Sequence, residues 1–244
     1  MKLPRWLVIG MLTSSVLAVL AAAGWLLWPA FYEYWAVRPL IEKMKVAATE
    51  NDIKSVVAAS DELNKIGAPA VRWLIELMKH PNDQVRWRAQ EALLFMEDNA
   101  QAAIPAMIQA LMNESKDVRE TACMMLENQG AHAELAIPSL TEALRDEEPS
   151  VRGLAALALG EIGPAAHKAI PMLSQLLNDS DSWVRLRTIH ALQSLDAISR
   201  VDAVAVLSDL VQSDDRVVRA EASDRLREID PAAASSSGAS LVDH

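Results

Sequence analysis

The chain is poor in the residue types that usually signal chemistry. One cysteine, Cys123, in 244 residues excludes an internal disulfide framework and a cysteine-built zinc site. Only eight glycines are present. No Gly-x-Gly-x-x-Gly, no phosphate-cradling Gly-Lys-Ser/Thr loop and no Gly-x-Ser-x-Gly elbow can be found. Positive charge is short, with 23 Lys and Arg against 33 Asp and Glu and a formal charge of −10. That balance argues against nucleic acid or an anionic membrane surface as partner. Strand-type alternation is also missing, so the class is all-α. Aromatics make up 5% of the chain, and most lie within its first 35 residues: Trp6, Trp25, Trp28, Phe31, Tyr32, Tyr34 and Trp35.

What is present divides into two parts. The first is apolar. From Trp6 to Tyr32 there is no charged residue, and Lys2 and Arg5 precede the run. A bilayer core about 30 Å thick takes about 20 such residues as a helix. Two readings are open. A cleaved signal peptide would use Lys2 and Arg5 as its basic region and Ala21-Ala22-Ala23 before Gly24 as its cleavage site. An uncleaved single-pass anchor would run to about residue 30, with Trp6 at one interface and the cluster from Trp25 to Trp35 at the other. Trp6 and Trp25 would stand roughly 28 Å apart on a helix, which matches the apolar thickness and favours the anchor. Residues 1–36 are therefore expected to be an anchor with an aromatic interface, and a short basic N-terminus favours export of the rest.

The second part is written five times. With Ala70, Ala103, Ala136, Ala169 and Ala203 as position zero, the copies are 33, 33, 33 and 34 residues apart. Position +4 is Leu74, Met107, Leu140, Leu173 and Leu207. Positions +15 and +16 are Val-Arg in every copy, at Val85-Arg86, Val118-Arg119, Val151-Arg152, Val184-Arg185 and Val218-Arg219. Position +23 is Leu93, Leu126, Leu159, Leu192 and Leu226, and the residue four earlier is small. Stripes of period 3.6 on both halves of each copy predict a helix-turn-helix unit repeated into a solenoid. Pro105, Pro138 and Pro171 at +2 suit a first helical turn, and Gly130 and Gly163 at +27 suit a helix end. Residues 37–69 form a degenerate capping copy, 70–231 the five repeats, and 232–244 a disordered tail after Pro231 stops the last helix.

The stretch Val151-Arg152-Gly153-Leu154-Ala155-Ala156-Leu157-Ala158-Leu159-Gly160-Glu161-Ile162-Gly163 closely resembles the HEAT-like repeat of the phycobilisome-lyase type. The resemblance covers about 37–231 and implies a right-handed α-solenoid. Ankyrin repeats share the 33-residue period, but the Thr-Pro-Leu-His signature is absent. The family includes bilin lyase subunits, an iron hydroxylase that uses His-Glu pairs as ligands, and plain scaffolds. Here the histidines read His80-Pro81, His132-Ala133, His167-Lys168, His190-Ala191 and the terminal His244, so no His-Glu pair exists and no metal or other cofactor is expected. Cys123 reads as an inert thiol.

Two features remain. Arg86, Arg119, Arg152, Arg185 and Arg219 recur beside turns holding Asp83, Asp117, Glu147/Glu148, Asp181 and Asp215. They read as an inter-repeat ion-pair ladder, with a basic strip for anionic ligands as the other reading. On the second helix, positions +17, +21 and +24 line the concave surface by resemblance to HEAT solenoids. Trp87, Met124, Leu157, Leu186 and His190 would form an apolar partner-binding patch there, unless tighter curvature buries them within the stack. The expectation is a membrane-anchored scaffold that binds other proteins, without catalysis and without a small-molecule substrate. The alternative the resemblance implies is an enzyme subunit or chromophore-transfer factor akin to bilin lyases.

Overall fold

The structure is a computed structural model and describes residues 33–50, 52–66, 68–94 and 100–236. The anchor expected over the first 36 residues lies outside the described residues except for its last four, and so does the part of the tail after Ser236. Among the described residues, no helix is long and apolar enough to cross a membrane.

The chain forms two compact units, Met1–Ala92 and Leu93–His244. In the first, a π-helical turn over Glu33–Val37 leads into α1 (Arg38–Thr49), which is followed by α2 (Ile53–Ile66), α3 (Ala68–Leu77) and α4 (Asp83–Leu94). α1 packs against α2, and together they occupy the place of the degenerate copy. Ile41, Met44 and Ala47 of α1 and Ala59 and Leu63 of α2 are buried, as the offset to the full repeats requires.

The second unit holds α5 (Ala100–Ala110), α6 (Lys116–Gln129), α7 (Ile137–Ala143), α8 (Pro149–Ile162), α9 (Ile170–Leu176), α10 (Ser182–Ser194), α11 (Arg200–Leu210), α12 (Arg216–Ile229) and α13 (Pro231–Ser236). The repeat register is the burial register. Every +4 residue, every +15 valine and every +23 leucine is buried. Burying each such leucine contributes about 1.5–3 kcal/mol, which is how short helices persist. In copies two to four position +27 ends the second helix in the left-handed region: Gly130 has φ +49°, Gly163 φ +78°, and Asp196 takes the same place with φ 51°. After both glycines the chain makes a 3₁₀ turn, Gly130–Ala136 and Gly163–Ala169, so Pro138 and Pro171 do fall in a first helical turn. Copy two differs. Its lead-in lacks glycine, α5 begins at Ala100 on good helix formers, and Pro105 lies inside the helix.

The last helix is a second difference. Asp230 breaks α12 with φ −146°, but Pro231 then serves as the first residue of a new helical turn, α13. The Asp230 carboxylate accepts from the Ala233 amide, and Ala234 is buried against the fifth copy. Residues 232–236 are thus the start of a cap on the apolar end of the stack, where a disordered tail was expected.

α8 and α10 approach closely along Gly153 and Gly160. A Cβ on Gly160 would lie 2.8 Å from the Ala191 Cα, so Gly160→Ala must push two backbones apart. A Cβ on Gly153 would meet the Arg187 side chain, its Cδ also at 2.8 Å, and that side chain can swing away. Denaturant unfolding is expected to show Gly160→Ala destabilised by about 1–3 kcal/mol despite its gain in helix propensity. Gly153→Ala is expected to stay within about 1 kcal/mol of the parent.

Candidate functional site

The arginine row makes one invariant contact. In every copy Nη1 of the +16 arginine donates to two consecutive carbonyls of its own inter-helix turn, six and five residues earlier, at 2.5–3.3 Å. The closest carboxylate partners are not those expected from the adjacent turns, apart from Asp83 with Arg86, although Glu147 Oε1 does lie 3.9 Å from Arg119 Nη2. Arg119 instead makes a two-pronged pair with Asp146, Nε to Oδ2 at 2.7 Å and Nη2 to Oδ1 at 2.8 Å. Arg152 does the same with Asp179, both bonds at 2.8 Å. Each of these aspartates lies 27 residues on, at +10 of the next copy. Asp181 and Asp215 cap helices: Asp181 accepts from the Val184 amide, and Asp215 from those of Val217 and Val218. The row is therefore an inter-repeat ladder through its middle, and guanidinium groups locked onto carbonyls and carboxylates do not offer a basic strip.

The expected apolar patch is not assembled. Trp87 is exposed, and the Arg88 guanidinium lies 4.3 Å from its ring centroid. Met124, Leu157 and His190 are half-buried. Leu186 is only 1% exposed, which corrects its assignment to a docking surface. The reason is the curvature of the stack. In the third copy positions +17 and +24 point at the following second helix, as the directions from Gly153 to Arg187 and from Gly160 to Ala191 show. Leu186 occupies +17 of the fourth copy and belongs to the core it shares with Leu207, Val218 and Leu226.

What the second unit does assemble is a groove of about 530 Å³ over the N-terminal halves of α6, α8 and α10, lined by Glu120, Met124, Ser150, Leu154, Trp183 and Arg187 among others. Of the expected patch only Met124 takes part. Positions +14 and +18, one helical turn apart, supply Ser150 with Leu154 and Trp183 with Arg187. Such i,i+4 pairs were the available signal in the sequence. The Ser150 hydroxyl donates to Glu120. The Arg187 guanidinium lies 5.3 Å from the Trp183 ring centroid. The indole is itself held, because Trp183 Nε1 donates to Asp215 Oδ2 at 3.1 Å. The amides of Val218 and Val217 keep the Asp215 carboxyl below its usual range. Arg187 makes no hydrogen bond and no ion pair among the described residues, so its donors are available to an incoming acceptor.

Farther along α6 and α10 the groove gives way to half-buried titratable groups. Burial raises the Glu127 pKa, and burial with the nearby Arg225 lowers that of His190. The Cys123 thiol is buried and pushed up to about 12, so it carries no thiolate at neutral pH. Among the described residues, no three His, Cys, Asp or Glu side chains are placed to hold a metal ion.

The sequence pattern of HEAT repeats matches four overlapping stretches, residues 37–127, 71–142, 104–193 and 137–227. No curated protein matches the chain. Similar solved structures include an engineered protein at 23% identity, with 79% of this chain and 97% of that one covered and a TM-score of 0.42. They also include the complex of CpcE and CpcF of phycocyanin lyase from Nostoc sp., at 22% identity, 64% and 97% coverage and a TM-score of 0.47. A designed armadillo repeat protein in complex with the peptide (KR)4 is 15% identical, with 82% and 98% covered and a TM-score of 0.46. With its helix pairs in one burial register and the pattern matched from residue 37 to residue 227, the chain belongs to the HEAT repeat family.

Proposed function

We propose that the protein is a scaffold without catalysis of its own, which holds an extended segment of a partner protein in the groove over α6, α8 and α10. The observation that carries this is Arg187, stacked on an indole fixed by Asp215 and left with no acceptor of its own. Tryptophan and arginine are among the residue types that dominate binding energy at interfaces. A partner carboxylate would meet the guanidinium. An aliphatic side chain one or two residues away would lie on Met124 and Leu154, and Glu120 and Asp181 at the rim would favour a basic flank. The uncharged run from Trp6 to Tyr32 supports a membrane tether that would bring the captured segment to a bilayer.

Displayed peptide libraries panned against the full chain in detergent test the groove. The enriched peptides are expected to carry an acidic residue beside an apolar one and to lose about thirtyfold or more in affinity for Arg187→Ala and for Trp183→Ala. Binders that ignore both substitutions overturn the groove. In the same preparation, alkaline extraction is expected to leave the full chain with the membranes, and its release overturns the tether.

A further inference from the structure

The arginine ladder contains a defect that the rest of the stack helps to interpret. At +10 the third and fourth copies carry Asp146 and Asp179. One carboxylate oxygen of each caps its own turn, accepting from the amide two residues on, Glu148 or Asp181, at 3.0 and 2.9 Å. The carboxylates also take Nε and Nη2 of the previous copy's arginine. The fifth copy has Ser213 at this place. Its hydroxyl repeats the turn cap, accepting from the Asp215 amide at 3.2 Å, and bonds to Ser182 Oγ at 3.2 Å. A hydroxyl has no second anionic oxygen to give. Arg185 Nη2 accordingly reaches out to the exposed Asp209 at 3.4 Å, and Arg185 Nε is buried with no hydrogen-bond partner. A buried guanidinium donor left unpaired is costly, and two neighbouring copies show what normally meets it.

We propose that Ser213 is a phosphorylation site, and that its phosphoryl group supplies the acceptor oxygens that Asp146 and Asp179 supply in the copies before it. Ser213 is half-buried on a turn whose next four residues, Asp214, Asp215, Arg216 and Val217, are exposed, so the segment can be presented to a modifying enzyme. Phosphorylation places the repeat domain on the nucleotide-containing side of the membrane, opposite to the export that the basic N-terminus favours. In the transfer, Ser213 Oγ attacks the γ-phosphorus of a nucleoside triphosphate bound to a protein kinase. The bond to the β,γ-bridging oxygen breaks, the nucleoside diphosphate leaves, and the hydroxyl proton passes to the kinase's base and then to solvent. The resulting dianionic group bridges Ser213 to Arg185 Nε and Nη2 as a charge-assisted pair and fastens the fifth copy to the fourth. A free oxyanion offers the same chemistry, but Nε is sealed from solvent, and Ser213 holds the repeat position from which Asp146 and Asp179 reach the preceding copy's arginine.

The test uses the full chain in detergent with phosphoserine installed at position 213, beside the unmodified chain. The modified chain is expected to show amide exchange in α11 and α12 slowed by about tenfold. Arg185→Gln is expected to abolish the gain while the phosphate remains attached. Mass spectrometry of the protein isolated from its own cells is expected to find phosphate on the peptide containing Ser213. Equal protection with Arg185→Gln overturns the pairing, and full protection by inorganic phosphate alone overturns covalent modification in favour of a free anion. Absence of phosphate from Ser213 under every growth condition sampled overturns the assignment of the site.

Discussion

Arg119→Met is expected to cost the second unit about 3–5 kcal/mol, the range for removing one member of a buried ion pair. Arg119 and Asp146 are only 8% and 11% exposed, and the arginine also satisfies the carbonyls of Asn113 and Glu114. Removing the guanidinium strands a carboxylate and two carbonyls at once. Replacing both partners, Arg119→Met with Asp146→Leu, is expected to recover much of the loss, because the desolvation of two charges disappears with them. The exposed pair Arg145–Glu142, at 60% and 75%, is the control, and Arg145→Met is expected to change stability by less than about 1 kcal/mol. Denaturant unfolding of all three variants separates the cases. An Arg119→Met cost no larger than the control removes the ladder from the account of stability. The next rung adds a pH signature. Burial alone would raise the Asp179 pKa, but the bonds from Arg152 and the Asp181 amide prevail and hold it below its usual value. A depressed folded-state value means that this carboxylate stabilises the fold above the ordinary carboxylate range and loses that contribution as pH falls through the depressed value. Arg152→Met is therefore expected to flatten the acid limb of the stability curve.

Much of this architecture was legible because a repeat shows the same physics several times over. Val-Arg at +15 and +16 marked a buried valine and an arginine with a structural task in every copy. The buried register needed only the recurrence of apolar residues at +4, +15, +19 and +23. The ladder was legible as a ladder but not in its partners, because the relevant pairing joins +16 of one copy to +10 of the next. Proximity in sequence pointed to Asp117, Asp181 and Asp215, which stand nearer to the arginines but lie at helix N-termini. There the amides compete for the same carboxylates, and for Asp181 and Asp215 they win. The groove was hidden for another reason. Which stripe of a second helix faces the next copy depends on the curvature of the stack, and curvature is a property of several repeats together. Gly153 and Gly160 held the hint, since glycines seven residues apart on one helix face mark a close neighbour. They turn the +17 and +24 positions of the third copy inward, and in the third and fourth copies +14 and +18 line the open face.

Leu186→Asp follows from that inward turn and has the largest expected effect on the fold. On a solvated face the substitution would be nearly neutral. Leu186 instead sits at 1% exposure in a cluster with Ile189, Leu207, Val218, Leu226 and Ala234, which joins the fourth copy to the fifth and to α13. An aspartate there loses the transfer energy of a buried leucine, about 2–5 kcal/mol, and places a carboxyl among side chains that offer it no donor. The sum is expected to exceed about 5 kcal/mol, in the range that marks disruption of a core. Leu157→Asp, at +21 and half-buried, is expected to cost roughly 1–3 kcal/mol, so the pair calibrates the face of the helix within one experiment. Because each repeat is held mainly by its neighbours, the damage is expected to be local at first. Hydrogen exchange should show α11, α12 and α13 opening together while the amides of α6 and α8 stay protected. If Leu186→Asp proves no more costly than Leu157→Asp, the +17 stripe faces solvent after all and the docking face must be redrawn to include it. If α11–α13 open as one body, the fifth copy with its terminal helix is a separable cooperative unit. Its attachment then depends on the same junction at which Arg185 lacks its aspartate.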